Sequence, residues 1–417
     1  MTGSRAGMII AVGCMVFSAI TDAQVTSEWR GPGRSGIYPE KNLLKQWPEG
    51  GPQLLWSRTD LPKGYSSLAI GNERLFLTGL QDSMDVLTAL DLHGNVLWQS
   101  RYGRAWNGSY PESRSTPTIE GNRLYVSSGY GDLACLDAST GKLIWSVKTR
   151  EQFDGSVGRW GIAESPLLHE DKVFFTCGGS KTTLVALDKS TGEVKWTTEC
   201  LNETPSYVSP LLIKHGGKNQ VVAVTENTIL AVNPGTGNIE WKFNYGEYKP
   251  ADARNNHSTT PLFADGRLYM SSGYNHYSVM LQLNQGATAA SLVWVDSTLD
   301  VHLGGVVKVD NYIFGSNWLN NGNGNWACLD WNTGKTMYET KWHNKGSIIS
   351  ADGMLYCYEE KSGNLALVRP TPVKFDIVSS FKLSLGTGPH WAHPVISNGV
   401  LYVRHGEALM AFNLTGK

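Results

Sequence analysis

The chain has 417 residues, with 36 Lys and Arg against 37 Asp and Glu, and 46 of its residues are glycine. This near-neutral balance argues against nucleic-acid binding and against electrostatic attachment to an anionic membrane. The glycine content is typical of chains with many tight turns. No Pro/Ser-rich linker and no run of like charges divides the chain, so we expect one large domain and a monomer.

The first 23 residues predict a secretory signal. Arg5 precedes an apolar run of 13 residues, Met8 to Ile20, and the small residues up to Ala23 suit cleavage by a leader peptidase. The run is too short to span a bilayer comfortably, so no transmembrane segment is expected. An alternative is lipidation of Cys14, which would make the protein a lipoprotein. The sequence therefore predicts a periplasmic or secreted protein.

The next segment, residues 24–51, is rich in Gly and Pro and predicts an irregular strap across the molecule. Residues 52–417 form the remaining single domain. At its start, Gln53-Leu-Leu-Trp56 has the pattern of the last strand of a repeat unit, although no complete unit precedes it.

A repeated phrase runs through this domain. Its clearest copies are Ala186-Leu-Asp188-Lys-Ser-Thr191-Gly192-Glu-Val-Lys-Trp196 and Cys135-Leu-Asp137-Ala-Ser-Thr140-Gly141-Lys-Leu-Ile-Trp145. Aromatic residues close the successive units 42 to 53 residues apart, at Trp56, Trp98, Trp145, Trp196, Trp241, Trp294, Tyr338 and Phe381. This spacing is typical of four-stranded propeller blades.

The chemistry of the phrase predicts a hairpin. An Asp side chain accepts hydrogen bonds from amides of the turn, and Gly adopts the positive φ that the reversal needs. The Trp that follows is then placed on an outer strand, where its ring covers the next blade. No blade buries its apolar faces alone, so neighbouring blades must stack.

The last unit breaks off at Thr415-Gly416-Lys417 without its outer strand. We predict that the strand around Gln53–Trp56 completes it and so removes an exposed sheet edge. The predicted fold is all-β, an eight-bladed propeller of four-stranded antiparallel blades.

Function is expected where the repeats differ, in the loops that lead into the innermost strands and converge on one mouth of the central channel. These lead-in loops carry four of the ten histidines together with Arg, Glu and Trp residues. Such groups suit a glycan or another small ligand, because rings stack and polar groups bind hydroxyls and carboxylates. The candidate ligand-binding residues are Arg114, Trp160, Glu164, Asn256, His257, His302, His390, Trp391 and His393.

A metal site is one other possibility considered for these residues. Zinc ligation by His257, His302 and His393 is conceivable, although no fixed local spacing supports it. The cysteines after Cys14 show no Cys-x-x-Cys pattern, and their strand contexts favour small buried hydrophobes.

The repeated phrase resembles the tryptophan-docking motif of pyrroloquinoline quinone (PQQ) repeats, which quinoprotein alcohol dehydrogenases share with the outer-membrane-assembly lipoprotein BamB. The resemblance covers Trp29 to the C-terminus. Other segments, among them Trp160-Gly-Ile-Ala-Glu-Ser-Pro166 and Trp391-Ala-His-Pro394, resemble exported PQQ-binding-like propeller repeat proteins of Planctomycetes and Bacteroidetes. The resemblance implies the fold more directly than an activity.

Three functions follow from it as expectations. The first is a non-catalytic exported propeller that binds a glycan, another small ligand or an envelope protein. The second is a quinoprotein alcohol or sugar dehydrogenase holding PQQ and Ca²⁺, in which Glu164, Asn255 or Asn256, and Asp300 would bind the metal and Asp300 would act as the base. The absence of adjacent cysteines in this chain argues against the second. The third is a BamB-like assembly scaffold.

Overall fold

The protein was analysed as a computed structural model that describes residues 1, 3 and 26–416. Within these residues the chain forms eight sheets, each built around four antiparallel strands, and the predicted eight-bladed propeller is confirmed. The predicted signal and Cys14 lie outside the described range, apart from residues 1 and 3. No helix in the described part of the chain is long and apolar enough to cross a bilayer.

The strands of blades 1 to 7 follow one another in chain order from the channel to the rim. Blades 1 to 4 comprise Ala69–Gly71, Arg74–Gln81, Met84–Asp91 and Val96–Arg104; Thr118–Glu120, Arg123–Ser127, Asp132–Asp137 and Leu143–Lys148; Leu167–His169, Lys172–Thr176, Leu184–Asp188 and Val194–Thr197; Leu211–His215, Lys218–Val224, Thr228–Val232 and Ile239–Asn244.

Blades 5 to 8 comprise Leu262–Ala264, Arg267–Met270, Ser278–Leu283 and Ala290–Asp296; Val306–Val309, Tyr312–Ser316, Trp326–Asp330 and Thr336–Thr340; Gly346–Ala351, Met354–Glu359, Asn364–Arg369 and Asp376–Lys382; Val395–Ser397, Val400–His405, Ala408–Asn413 and Gln53–Arg58. Helical turns are short, with 3₁₀ turns at Pro32–Arg34 and Tyr245–Glu247 and one α-helical turn at Thr149–Phe153.

The eighth blade is closed by the N-terminal strand, as predicted. Gln53–Arg58 pairs antiparallel with Ala408–Asn413, from Gln53 opposite Asn413 to Arg58 opposite Leu409. The two ends of the propeller are therefore joined in one sheet, and the edge of Ala408–Asn413 is covered by main-chain hydrogen bonds.

The repeated phrase forms the hairpin turn that its chemistry predicts. In blade 2, Asp137 accepts hydrogen bonds at one carboxylate oxygen from the amides of Ser139 at 3.0 Å and Thr140 at 2.8 Å. Gly141 has φ +71°. The turn is thus stabilised by residues inside the phrase, which explains why the phrase recurs with so little variation.

Five of the six closing Trp residues lie on the glycine of the next blade's turn; Trp241 is the exception. A Cβ on Gly192 would approach the Trp145 ring to 2.8 Å, and the Trp145 indole donates to the carbonyl of Lys189 at 3.2 Å. The same glycine contact occurs for Trp56, Trp98, Trp196 and Trp294. At the closing blade, Phe381 contacts Gly51 of the N-terminal segment instead. Blade-to-blade docking therefore uses the repeated phrase directly.

Residues 26–38 lie inside the central channel. Thr26–Ser27 pairs antiparallel with Thr118–Glu120, and Ile37–Tyr38 pairs in parallel with Gly346–Ala351. Because both partners are innermost strands, residues 26–38 form a finger that rises through the channel towards the lead-in loops and returns. We call it the channel finger. The segment expected as a strap thus reaches the outer strand of blade 8 by way of the channel.

Candidate functional site

A cavity of about 410 Å³ lies at the channel mouth, between the lead-in loops and the tip of the channel finger. Its wall also includes loops that join the second and third strands of a blade, since these loops end on the same face of the ring. The lining is rich in aromatic side chains, namely Trp29, Tyr65, Tyr110, Trp160, Tyr207, Tyr274 and Trp391. The site is therefore a concave aromatic pocket with a floor formed by Trp29 and the residues around it.

The structure brings most of the candidate ligand-binding residues to this cavity. The predicted residues that line it are Arg114, Trp160, Asn256, His302, Trp391 and His393. Glu164, His257 and His390 are buried beside it and do not belong to its lining, and neither does Asp300. Convergence of the lead-in loops thus places the larger part of the predicted set around one space.

Three arginines line the cavity. Arg114 donates to the carbonyl of Trp160 at 2.5 Å and to that of Tyr110. The guanidinium of Arg159 lies 5.3 Å from the ring centre of Trp160, and that of Arg254 lies 5.8 Å from the ring of Tyr274. These are cation–π distances. Among the described residues, the arginines that form salt bridges lie elsewhere, at Arg34, Arg58, Arg101, Arg104 and Arg369.

The loop that carries Arg159 and Trp160 is fixed by a tyrosine. The hydroxyl of Tyr207 accepts from the amides of Arg159 and Trp160, both at 3.1 Å. Gly161 has φ +77°, and a Cβ there would approach the Trp106 ring to 2.8 Å. The backbone that carries Trp160 is therefore held in place before any ligand arrives, which lowers the entropy cost of binding.

The remaining titratable groups leave the cavity positively charged. Its one acidic lining residue, Glu360, forms an ion pair with Lys345 at 2.7 Å. Burial lowers the pKa of His302 to about 3 and that of His393 to about 3, so both rings are neutral at pH 7. The charges of Arg159 and Arg254 therefore face the cavity without a carboxylate partner.

His393 forms part of the floor with Arg30 of the channel finger. Arg30 donates to the Nδ1 of His393 at 2.9 Å, and since a guanidinium only donates, the proton of this imidazole is on Nε2. Nε2–H then donates to the carbonyl of Leu303 at 2.9 Å. Both ring nitrogens are used by the protein, so His393 shapes the cavity but has no free polar atom for a ligand.

His302 differs from His393 in this respect. Its Nε2 is 2.8 Å from the hydroxyl of Tyr274, while its Nδ1 is buried and has no hydrogen-bond partner among the described residues. A buried polar atom without a partner is costly. Because this atom is buried, a ligand in the cavity does not contact it in this conformation.

The two histidines outside the cavity are packed in the blades. His257 bonds the Ser272 hydroxyl at 2.9 Å and the Glu226 carbonyl at 3.0 Å. His390 contacts the hydroxyl of Tyr358 and stacks on His405 with ring centres 3.5 Å apart. His257, His302 and His393 thus have separate partners, and the described residues contain no group of three or more His, Cys, Asp or Glu that could hold a metal.

The residues expected to hold Ca²⁺ are separated by their own hydrogen bonds. Glu164 accepts the amide of Thr176 at 3.0 Å and lies beside the buried cation Arg34. Asp300 accepts the amides of Trp318 at 3.1 Å and Asn275 at 3.2 Å. Because both carboxylates are engaged by the protein away from the cavity lining, they do not form a ligand set with Asn256.

Sequence reasoning did not select several residues that line the cavity. Trp29 is only the first residue of the family resemblance, and Tyr274 and Glu360 lie in loops between second and third strands. The order of the strands could have indicated Tyr274 and Glu360. In an antiparallel blade, the loop between the second and third strands lies on the same face of the ring as the lead-in loop. No sequence signal indicated that Trp29 lies within the channel.

Comparison with known proteins places the chain in a family. The profile described as outer membrane protein assembly factor BamB matches residues 83–340, more than half of the chain. The chain belongs to this family. BamB of Moranella endobia is 24% identical over 289 residues, covering 65% of this chain and 68% of that protein. The quinoprotein ethanol dehydrogenase of Pseudomonas aeruginosa is 27% identical over 154 residues, covering 33% of this chain and only 24% of the enzyme.

Solved BamB-family and quinoprotein structures share the fold of this chain. BamB of Moraxella catarrhalis aligns with a TM-score of 0.63 at 16% identity, covering 88% of this chain and 98% of that one. The quinohemoprotein alcohol dehydrogenase of Comamonas testosteroni aligns with a TM-score of 0.67 at 12% identity, covering 92% and 79%. These structural similarities show that the chain has the propeller fold. They do not identify a ligand at the channel mouth.

Proposed function

We propose that this BamB-family protein is an exported, non-catalytic propeller that binds a glycan or another small ligand at the mouth of its channel. The observation that carries the proposal is the cavity of about 410 Å³, which combines aromatic faces with polar groups left for a ligand. Rings such as Trp160 and Trp391 stack on sugar faces. The amide of Asn256 and the hydroxyl of Ser258 line the cavity and suit hydroxyl groups.

A glycan array followed by calorimetry on the hits tests the proposal. We expect Trp391→Ala to weaken binding strongly, because the Trp391 ring packs between Tyr65 and Tyr110 with ring centres 4.9 Å from each. Trp342→Ala is the matched control, since this ring packs on Trp326 and Phe375 outside the cavity. Equal binding by the wild type and Trp391→Ala would place the site elsewhere.

The dehydrogenase alternative is tested separately. Calorimetric titration with PQQ and Ca²⁺, followed by a dye-coupled alcohol oxidation assay, should give neither binding nor turnover. Turnover that is lost in Asp300→Asn would overturn the non-catalytic proposal.

A scaffold role for a protein partner is the second candidate, favoured by apolar side chains exposed on outer strands. Leu55, Leu97 and Ile144 are 46%, 46% and 42% exposed on the neighbouring blades 8, 1 and 2. Apolar surface of this kind is typical of protein contacts when it is continuous. Leu97→Glu with Ile144→Glu should abolish co-purification of an envelope protein and leave glycan binding unchanged if this candidate is correct.

Export is part of the proposal and has its own test. Mass spectrometry of the protein recovered from the cell envelope should give an N-terminus at Gln24 if residues 1–23 are removed. A lipidated N-terminus at Cys14 would instead indicate the lipoprotein alternative.

A further inference from the structure

We infer that the mouth takes an anionic oligosaccharide, a chain of several sugar rings bearing carboxylate or sulfate groups, and that this chain runs from the central cavity into a side groove over blades 3 and 4. The inference rests on the proposed function and specifies its ligand. Its two elements are the length of the site and the charge of the residues at its middle.

The length follows from a second cavity. A groove of about 620 Å³ adjoins the mouth and shares with it Arg159, Trp160, Tyr207, Arg254 and Asn256. Because the same five residues border both spaces, the two cavities are adjacent, and a ligand chain that passes over this border contacts both. A single sugar ring would occupy only part of this length.

The charge follows from the residues at the border. Arg159 and Arg254 line both cavities and are exposed, and each guanidinium lies over an aromatic ring instead of a carboxylate. Guanidinium groups bind carboxylates and sulfates through paired N–H donors. Two such groups at the junction suit an acidic substituent in the middle of the ligand.

The other charges of the site are compatible with an anion. In the mouth, Glu360 is paired with Lys345 at 2.7 Å. In the side groove, Asp154 is hydrogen-bonded by the hydroxyl of Ser180, and the lining contains one further cation, Arg150, and one further carboxylate, Glu226. Arg114 has Glu112 and Asp85 nearby, so we assign the anion to Arg159 and Arg254.

The neutral part of the site favours a saccharide over a peptide. Trp160, whose backbone amide donates to the Tyr207 hydroxyl, presents its ring at the border. Asn256 and Ser258 supply an amide and a hydroxyl for sugar hydroxyl groups. The cavity wall is made of loop side chains, and the innermost strand of each of blades 2 and 7 is already paired with the channel finger. An acidic peptide is therefore tested as an alternative outcome.

The experiment is calorimetry of the purified protein with tetragalacturonate, its methyl ester, galacturonate monomer, a sulfated galactan tetrasaccharide and its desulfated form, and tetraglutamate. We expect at least one anionic tetrasaccharide to bind about tenfold or more tightly than its neutral form and than the monomer. The two anionic probes distinguish carboxylate from sulfate.

Arg159→Gln with Arg254→Gln should remove about tenfold or more of that affinity. The matched control is Arg101→Gln with Arg369→Gln, two exposed arginines outside both cavities, which should leave binding unchanged. Circular dichroism should show the same melting curve for both double variants.

Each of the other outcomes contradicts a different part of the inference. Equal binding of charged and neutral tetrasaccharides, abolished by Trp391→Ala, would refute the anionic ligand and retain the proposed function. Equal binding of monomer and tetramer would refute the extended site. Binding of tetraglutamate alone, or of no saccharide, would refute both this inference and a glycan as the ligand.

Discussion

Arg30 is the residue on which the position of the channel finger depends most directly. It is buried and donates to the carbonyls of Val306 at 2.6 Å and of Gly304 and Ile348 at 3.2 Å, in addition to His393. A buried arginine is stable only when its donors are satisfied. These bonds join the finger to blades 6, 7 and 8.

Gly305→Ala should displace this arginine. A Cβ at Gly305 would lie 2.2 Å from the guanidinium Nη1 of Arg30, and Gly305 has φ +66°. We expect a loss of about 3 kcal/mol in the free energy of unfolding, from overpacking added to backbone strain. Urea titration measures it.

Gly353→Ala is the matched control for that measurement. Gly353 has φ +73° with nothing within 4 Å of the added Cβ, so only the backbone strain of about 1 kcal/mol applies. Equal losses in the two variants would contradict a role for the Arg30 contact.

Glu164 predicts a pH dependence of stability. Burial raises its pKa from 4.5 to about 8, opposed by the amide of Thr176 and the charge of Arg34. The folded protein therefore keeps a proton between these pH values that the unfolded chain releases, so this contribution to stability is lost as pH rises from about 4.5 to about 8.

Glu164→Gln removes this proton. We expect the free energy of unfolding of the wild type, minus that of the variant, to fall between pH 5 and pH 9, by about 1.4 kcal/mol for each unit of the pKa shift. Denaturant titrations of both proteins across this range measure it. A difference that rises with pH would show that the carboxyl is stabilised in its charged form.

At the scale of the blade, the closing Trp and the next turn form the unit of docking. Trp145 is 8% exposed and packs on Gly192 of blade 3. Trp145→Ala should cost about 4 kcal/mol, because it opens a space between two blades and removes the indole hydrogen bond to Lys189. Thermal and urea unfolding measure the loss.

The comparison variant is Trp160→Ala, which removes a half-buried Trp of the cavity wall instead of a docking Trp. It should cost about 1 kcal/mol and weaken ligand binding. A similar loss of stability in the two variants would contradict a special role for the docking position.

Blade 5 is one of the blades that depart from this docking rule. The turn of blade 5, residues 285–288, lacks the Asp-x-x-Thr-Gly phrase. There the indole of Trp241 donates to the side chain of Gln220 at 3.3 Å, and Gln220 donates to the carbonyl of Ala287 at 2.7 Å. A buried glutamine thus connects blades 4 and 5 where the repeated turn is missing.

At the scale of the whole molecule, the pairing of Gln53–Arg58 with Ala408–Asn413 closes the ring. A chain that begins at residue 59 lacks the strand Gln53–Arg58 and exposes the edge of Ala408–Asn413. We expect it to associate through this edge, because unpaired strands template further pairing. Light scattering after size exclusion should give dimers or larger species.

A chain that begins at residue 52 is the control, since it keeps the closing strand and loses only the channel finger and the residues after it. It should remain monomeric, although less stable. A monomeric chain from residue 59 would contradict the role of the closing strand.

The sequence by itself determined the repeating parts of this protein. Asp137 and Gly141, like their counterparts, form turns from contacts inside one phrase, and Trp145 follows them at a fixed spacing. Because these features depend on residues close in sequence, they can be predicted from the sequence. The broken last unit and the unattached strand at Gln53 similarly predicted how the ring closes. The convergence of the lead-in loops predicted most of the cavity wall.

Only the tertiary structure decided what fills the channel and which polar groups remain for a ligand. The path of residues 26–38 depends on pairing with strands far along the chain, such as Thr118–Glu120 and Gly346–Ala351. Likewise, His393 and Glu164 have partners that are distant in sequence, whereas Arg159 and Arg254 face aromatic rings. Burial and hydrogen bonding of this kind arise from the assembled ring, and residue type and local spacing do not contain them.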